Sequence, residues 1–223
     1  MKATSTPTLS ETLREIALDR YISRHSDPEP EVLRQLRHRA NLQLVYPRMV
    51  SGHLQGRLLK MLVRMIRPRN ILELGTFAGY ATICMAEALT PGARLTTVEV
   101  DEELKPFIEQ SLKEAGVCDR VDTVYADAER LLEELDLSHY DLVYLDANKR
   151  RYPHYYELLL SGLPSGAFVL ADNTLWGEKV LDSTGHDPQT DGIRSFNELV
   201  ADDDRVEKVL LPLRDGLTLI YVK

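Results

Sequence analysis

The sequence predicts an α/β domain with a mostly parallel, seven-stranded sheet, helices on both faces and an antiparallel last strand. From Arg69 onward, short apolar runs alternate with segments of helical period, which is typical of a parallel sheet flanked by helices. The last two apolar runs flank a tight Asp215-Gly216 turn, so the last strand should run antiparallel to the others. The chain has 223 residues, of which 43% are hydrophobic, and this is enough for one core of ordinary size.

Three helices are expected before the alternation begins. They are expected at residues 11–22, 31–41 and 54–66, where apolar side chains recur at helical spacing. A Pro-rich break at residues 26–30 separates the first two helices. We therefore expect a single domain over residues 1–223, with a helical N-terminal extension over 1–53 and a core over 54–223.

The core should contain seven strands and five further helices, separated by glycine and proline. The strands are predicted at residues 71–74, 94–100, 121–125, 141–145, 167–171, 206–211 and 217–222, and the helices at 79–89, 102–115, 128–135, 152–160 and 190–200. Gly75 breaks the first strand, Pro91-Gly92 form a turn, and Gly116 ends a helix. In such a sheet, ligands bind beyond the carboxyl ends of the strands.

Charge and cysteine content exclude some classes of function. The net charge is -8, which argues against indiscriminate binding of nucleic acid, although residues 1–70 carry 13 Lys/Arg against 6 Asp/Glu. The two cysteines, Cys84 and Cys118, form no metal-binding motif and no disulfide framework. The polar first ten residues lack the apolar run of a signal peptide, so a reducing, cytoplasmic compartment is expected.

A glycine-containing loop follows the first predicted strand. It includes Glu73, Gly75, Thr76, Phe77, Gly79 and Tyr80. Glycine lets the backbone turn sharply and lets a ligand approach closely. The dinucleotide pattern G-x-G-x-x-G is absent because Phe77 and Ala78 occupy two of its positions, and the chain has no Gly-Lys-Ser/Thr phosphate loop. The loop alone also fits a plain strand–helix turn, but it suits a compact nucleoside without phosphates, such as S-adenosylmethionine (SAM).

Acidic residues follow the second and third strands. Glu99 ends the second strand, where a carboxylate can accept hydrogen bonds from ribose hydroxyls. Asp101 is the alternative ribose ligand or a helix N-cap. Asp127, with Ala128 beside it, follows the third strand and would either lie near an adenine ring or cap the next helix.

Oxygen ligands follow the fourth and fifth strands. Asp146 follows the fourth, and Asp172 and Asn173 follow the fifth, so neighbouring strand ends should bring them together. Carboxylate and amide oxygens suit a hard cation such as Mg²⁺, Mn²⁺ or Ca²⁺, and not zinc. Taken singly, the two aspartates could be caps of turns or helices, but together with Lys149 they indicate a metal site.

Nearly the whole chain, from about residue 10 to 222, resembles the caffeoyl-CoA and catechol O-methyltransferases and their bacterial relatives, a branch of the class I SAM-dependent enzymes. The resemblance rests on several stretches together: His25-Ser26, Ile71 to Tyr80, Tyr140 to Lys149, Ala171 to Trp176, Ile193 to Asn197 and Asp215 to Thr218. It implies a Rossmann-like methyltransferase fold, SAM as cofactor and a divalent cation. It also implies a homodimer, which we expect to use the N-terminal segment before Tyr46.

The resemblance also implies roles for individual residues. It implies metal ligands at Asp146, Asp172 and Asn173, a general base at Lys149, and SAM contacts at Met49, Val50, Ser51, Glu73, Gly75, Thr76, Phe77, Gly79, Tyr80, Glu99, Asp127, Ala128 and Asp146. Asn148 stands where the family usually has an acid, which removes one negative charge beside the predicted metal.

The predicted reaction is methyl transfer from SAM to a hydroxyl of a small catechol-like or phenolic acceptor. Trp176 could form a flat wall for an aromatic acceptor or could merely pack the loop. One alternative is methylation of a hydroxyuridine in transfer RNA, using the basic N-terminal surface. Another is a SAM- or nucleotide-binding module without catalysis. An NAD-dependent dehydrogenase is disfavoured by the missing G-x-G-x-x-G.

Overall fold

A computed structural model describes residues 9–182 and 184–223. Its helices are α1 Leu9–Arg24, α2 Glu31–Gln43, α3 His53–Ile66, α4 Tyr80–Ala86, α5 Lys105–Glu114, α6 Ala128–Glu134, α7 Tyr152–Gly162 and α8 Pro188–Asp202. Its strands are β1 Asn70–Leu74, β2 Arg94–Glu99, β3 Val121–Tyr125, β4 Leu142–Leu145, β5 Phe168–Asp172, β6 Val206–Leu211 and β7 Leu217–Val222. Residues 1–8 of the predicted extension and Ser183 of a predicted loop lie outside the described residues.

The seven strands form one sheet in the order β3-β2-β1-β4-β5-β7-β6. The five strands from β3 to β5 are parallel, whereas β7 runs antiparallel to both β5 and β6. The predicted fold class is therefore confirmed. Because the chain passes from β1 to β2 on one side and later to β4 on the other, the strand order reverses at β1, and a crevice is expected there.

Two cores cover the two faces of the sheet, because successive strand side chains point to opposite faces. On β4, Leu142 and Tyr144 belong to the core that includes residues of α2 to α5. Val143 and Leu145 belong to the core that includes residues of α6 to α8. Tyr144 consequently lies on the face covered by α3, with its side chain fully buried.

Two helices differ by three residues at one end from the sequence prediction, and the others by at most two. The helix predicted from residue 102 begins with a 3-10 turn, Glu102–Leu104, and becomes α-helical only at Lys105, followed by proline at position 106. The helix predicted to residue 89 ends at Ala86, because Ala88 and Leu89 make i→i+3 hydrogen bonds, from Ala88 N to Met85 O and from Leu89 N to Ala86 O. None of the helices in the described ranges combines the length and apolarity needed to cross a membrane.

Candidate active site

A cavity of about 930 Å³ opens at the carboxyl ends of the parallel strands. Loops after these strands line it, together with the segment that contains the 3-10 turn Pro47–Met49 and the turn before β7. The predicted site residues that line it are Met49, Val50, Ser51, Gly75, Thr76, Phe77, Tyr80, Glu99, Asp127, Ala128, Asp146, Lys149, Asp172, Asn173 and Trp176. A single cavity thus brings together the predicted nucleotide contacts and the predicted metal and substrate residues.

Gly75 allows β1 and β4 to continue side by side into the cavity. Its backbone is left-handed, with φ at 101°, and an added Cβ would lie only 2.2 Å from the main-chain oxygen of Asp146. The main-chain N–H of Asp146 also donates a hydrogen bond to Leu74, at 2.9 Å. A side chain at position 75 would therefore push apart the loop and the strand end that carries Asp146.

Glu99 is fixed at the end of β2 by main-chain donors. Its carboxylate accepts hydrogen bonds from the N–H of Phe77, at 2.7 Å, and the N–H of Asp101, at 3.0 Å. The residue is 8% exposed and lines the cavity. Each carboxylate oxygen can accept more than one hydrogen bond, so Glu99 can still bind hydroxyl groups of a ligand.

The two other acidic residues at this end act as caps. The Asp101 carboxylate accepts from the N–H of Glu103 at 3.0 Å, and Asp101 does not line the cavity. The Asp127 carboxylate accepts from the N–H groups of Glu129 and Arg130 at the start of α6. Asp127 also lines the cavity, so capping and ligand contact are compatible there.

Two predicted cofactor contacts, Glu73 and Gly79, are not among the residues that line the cavity. The carboxylate of Glu73 is fully buried and accepts from the hydroxyls of Thr82, at 2.5 Å, and Thr97, at 2.6 Å. Burial raises the pKa of Glu73 to about 8. Gly79 adopts φ 81° where α4 begins. Glu73 thus supports the loop through its hydrogen bonds to Thr82 and Thr97, and Gly79 through its left-handed backbone.

The three predicted metal ligands follow paired positions of neighbouring strands. Leu145 of β4 pairs with Ala171 of β5, so Asp146 and Asp172 are the next residues on each strand. The Asp172 carboxylate accepts from the amide of Gln55 at 2.5 Å and the hydroxyl of Tyr144 at 2.8 Å. Its second oxygen accepts from the N–H of Asn173 at 2.8 Å. These contacts fix Asp172 in one orientation.

Lys149 is held between Asp146 and Tyr152. Its Nζ donates to the Asp146 carboxylate at 2.6 Å and to the Tyr152 hydroxyl at 2.7 Å, and the residue is 6% exposed. Burial raises the pKa of Asp146 above its ordinary value; the ammonium of Lys149 opposes this rise and the nearby Asp172 carboxylate adds to it. The site thus holds two neighbouring carboxylates and one compensating lysine.

The end of the cavity that holds Asp146 and Asp172 also carries Trp176 and the cationic side chain of Lys179. Trp176 is partly buried, and Lys179 Nζ lies 5.9 Å from the centre of its ring. Asn148, at the position where the resemblance implies an acid, is exposed and accepts from the N–H of Arg150 at 3.2 Å. An asparagine and an aspartate can both make this contact, so the substitution preserves the local turn and removes a charge.

Sequence reasoning missed the side chains that support this end of the cavity. Gln55 is 3% exposed and shares the buried face of α3 with Leu59 and Val63. The four-residue spacing from these apolar residues indicated that Gln55 would be buried and would support another polar group, because a polar side chain on a buried helix face needs a polar partner. Arg214 gave no such signal, since it stands in a short turn next to Asp215.

The basic N-terminal stretch is partly neutralised in the fold. Four of its arginines form ion pairs: Arg34 with Glu31, Arg37 with Glu29, Arg39 with Glu114, and Arg57 with Glu87. These guanidinium groups already have carboxylate partners, so they form a poorer phosphate-binding surface than the sequence alone indicates. The transfer RNA alternative gains no support from this arrangement.

Comparisons with known proteins agree with the resemblance. A family model described as O-methyltransferase matches residues 23–223. The chain is 33% identical over 177 residues to a catechol O-methyltransferase of Niastella koreensis, covering 76% of this chain and 80% of that protein. It is 29% identical over 180 residues to a caffeoyl-CoA O-methyltransferase of Stellaria longipes, covering 76% and 75%. The structure of an O-methyltransferase of tomaymycin synthesis from Streptomyces achromogenes, in complex with SAM, is also similar. It superposes with a TM-score of 0.83 at 33% identity, covering 93% of this chain and 96% of that one.

Proposed function

The chain belongs to the family of SAM-dependent O-methyltransferases, and from that premise we propose that it methylates a small catechol-like or phenolic acceptor with the help of a divalent cation. One observation carries the proposal. Glu99, the carboxylates of Asp146 and Asp172, and Lys149 all line the same cavity, which has room for a nucleoside and a small second ligand.

The residues at the ends of β4 and β5 fit a hard divalent cation. Asp146, Asp172 and Asn173 offer two carboxylates and an amide oxygen, which is the donor chemistry that Mg²⁺ and Mn²⁺ prefer. A cation there would also offset the repulsion that contributes to the raised pKa of Asp146. When bound, a divalent cation polarises an acceptor hydroxyl and makes its proton easier to remove. We propose Mg²⁺, with Mn²⁺ or Ca²⁺ as the alternatives.

The strand ends from β1 to β3 would hold the methyl donor. Glu99 would accept hydrogen bonds from the ribose hydroxyls, and Asp127 and Ala128 would lie beside the adenine ring. Gly75 and its loop leave room for the ligand to approach the backbone closely. Holding donor and acceptor in line in one cavity would supply much of the acceleration.

Lys149 is positioned to take the proton of the acceptor hydroxyl. As the acceptor oxygen forms a bond to the methyl carbon, the bond from that carbon to the donor sulfur breaks and the hydroxyl proton must leave. Nζ of Lys149 can accept this proton only as the neutral amine, with its lone pair turned from Asp146 and Tyr152 towards the acceptor hydroxyl. The competing role is structural: Lys149 would only balance the charge of Asp146 and Asp172.

The acceptor class follows from the relatives and from the lining of the cavity. A catechol O-methyltransferase is among the similar proteins, and a catechol offers two adjacent oxygens that one cation could bind. Trp176 presents an aromatic surface at the same end, where a flat acceptor could pack against it.

An assay of methyl transfer tests the proposed function. Catechol, SAM and Mg²⁺ should yield the monomethyl ether, turnover should stop in EDTA, and added Mg²⁺ should restore it. Full turnover in EDTA would contradict the metal dependence. Binding of SAM without methylation of catechols, acyl-CoA thioesters or undermodified transfer RNA would favour a binding module without catalysis.

We also propose a homodimer that uses the N-terminal segment. On α1, Leu13, Leu18 and Tyr21 are each more than half exposed, which is unfavourable for apolar side chains grouped on one helix. Light scattering should give about twice the 25.4 kDa mass of one chain. A mass near 25.4 kDa at micromolar concentration would contradict the dimer.

A further inference from the structure

The turn between β6 and β7 carries an arginine in a backbone conformation that favours glycine. Arg214 has φ at 50°, in the left-handed region, where residues with a Cβ are disfavoured. The next residue but one, Gly216, has φ at 88°. An arginine at position 214 therefore places a long cationic side chain at the cavity despite an unfavourable backbone.

The guanidinium of Arg214 lies one side chain away from a proposed metal ligand. Its Nη1 donates to the Gln55 side-chain oxygen at 3.2 Å, and the Gln55 amide donates to Asp172 at 2.5 Å. The guanidinium also lies against Gly52, where an added Cβ would come within 2.9 Å of Nη1. The arginine thus reaches towards the metal end of the cavity, which carries Asp146, Asp172 and Asn173, from beside the segment with the predicted SAM contacts Val50 and Ser51.

This guanidinium forms no close ion pair among the side chains that the structure describes; from a greater distance its charge lowers the pKa of Asp146, against the rise that burial causes. Among the side chains that the structure describes, no carboxylate lies within 4.0 Å of Arg214, Arg48 or Lys179, all of which line the cavity. Arginines elsewhere differ, since Arg94 and Arg205 each pair with an aspartate. Arginine offers five N–H donors in a planar fork that matches a carboxylate, and Arg214 uses one of them on Gln55.

We propose that Arg214 is a specificity-determining residue that binds a carboxylate of the acceptor, so that the enzyme prefers hydroxylated aromatic acids to uncharged catechols. This inference rests on the proposed function. Because only Gln55 separates the guanidinium from Asp172, the carboxylate must sit on the aromatic ring or on a short chain attached to it. In an acyl-CoA thioester, the phosphates lie too far from the reacting hydroxyl to reach Arg214 while that hydroxyl lies at Asp172.

The carboxylate of SAM itself is the competing ligand for Arg214. The sheet order favours the acceptor, because the turn that carries Arg214 precedes β7, beside β5, whereas Glu99 and Asp127 end β2 and β3 on the other side of β1. The link through Gln55 also leads to Asp172 and not to Glu99.

The test compares 3,4-dihydroxybenzoate with catechol in wild type and in Arg214→Gln. At saturating SAM and Mg²⁺, the variant should lose about tenfold more kcat/KM for 3,4-dihydroxybenzoate than for catechol, mainly through KM, as for one lost charge-assisted contact. Arg214→Gly should show the same larger loss for 3,4-dihydroxybenzoate than for catechol, and glycine suits the left-handed backbone at position 214. Arg67→Gln is the matched control, because Arg67 is also left-handed, with φ at 56°, but is exposed at the end of α3 outside the cavity.

Three results would overturn the proposal. The first is an equal loss for both acceptors in the variant, and the second is a loss of SAM affinity in calorimetric titration, which would place the cofactor carboxylate on Arg214. The third is equal binding of the two acceptors by the wild type in the same titrations. If the wild type methylates no catechol at all, the proposed function fails, and the binding titrations still decide whether Arg214 prefers the carboxylate.

Discussion

The two ends of the cavity are held by different kinds of contact. At the nucleotide end, the carboxylates of Glu99 and Asp127 accept hydrogen bonds from main-chain N–H groups. At the metal end, Asp172 depends on the side chains of Gln55 and Tyr144, which come from α3 and β4. Main-chain donors survive substitution of the residues that carry them, whereas side-chain donors do not. The metal end should therefore be the more sensitive to single substitutions.

The largest effect is expected for Asp172→Ala. Loss of a carboxylate ligand should remove the cation and with it several kcal/mol of transition-state stabilisation, so the rate should fall by about 10³-fold or more. SAM affinity should change little, because Glu99 and its contacts are untouched. Steady-state rates and SAM titrations measure the two effects. Asp202→Ala, which removes an exposed carboxylate at the end of α8, should match the wild type.

A smaller effect is expected for Lys149→Ala. General-base contributions are about 10²–10⁴-fold in rate, and the loss should fall at the low end because the cation alone can acidify the acceptor hydroxyl. SAM affinity should be nearly unchanged. The loss should shrink as pH rises, because hydroxide can replace the base. If Lys149 only balances the charge of Asp146 and Asp172, metal affinity should fall first and saturating Mg²⁺ should restore the rate.

Full activity of Lys149→Ala at neutral pH and limiting metal would exclude both roles. It would leave the cation as the sole activator of the acceptor. Lys113→Ala, in the exposed last turn of α5, controls for the loss of a lysine.

Gln55→Leu tests whether support from behind Asp172 matters. Residues that orient a metal ligand typically contribute about 10–100-fold in metal affinity, so Mn²⁺ binding should weaken by that factor. The matched control is Gln43→Leu, at the exposed end of α2. Unchanged Mn²⁺ affinity in a folded Gln55→Leu protein would show that Tyr144 and Asn173 suffice to orient Asp172.

Glu99→Gln tests the nucleotide end. The amide keeps the size of the side chain but loses the charge, so SAM affinity should fall by roughly tenfold, as expected for hydrogen bonds to a charged group. Metal binding should be unaffected. Glu103→Gln, in the exposed 3-10 turn after β2, should leave SAM affinity unchanged. A Glu99 variant that loses metal affinity as strongly as SAM affinity would break the distinction between the two ends.

The difference between local main-chain contacts and long-range side-chain contacts also explains what could be predicted from the sequence. The alternation of strands and helices along the chain and the residues that follow each strand are local features of the sequence. Glu99, Asp146, Asp172 and Asn173 could therefore be placed at one edge of the sheet. Asp101 and Asp127 stayed ambiguous, because capping and ligand binding require the same side chain after a strand.

Contacts between distant segments could not be read from the sequence. Gln55 reaches Asp172 across 117 positions, and Arg214 reaches Gln55 across 159. The hydrogen bonds of Glu73 to Thr82 and Thr97 also join three separate elements, and the sequence alone did not indicate them.

Calorimetric titration of EDTA-treated protein, first with SAM and then with Mn²⁺, tests most directly the claim that one cavity joins a nucleotide end and a metal end. The wild type should bind SAM without metal and should then bind one Mn²⁺ per chain. Asp172→Ala should keep the SAM signal and lose the Mn²⁺ signal. Undiminished Mn²⁺ binding by Asp172→Ala, or no SAM binding by the wild type, would contradict the account.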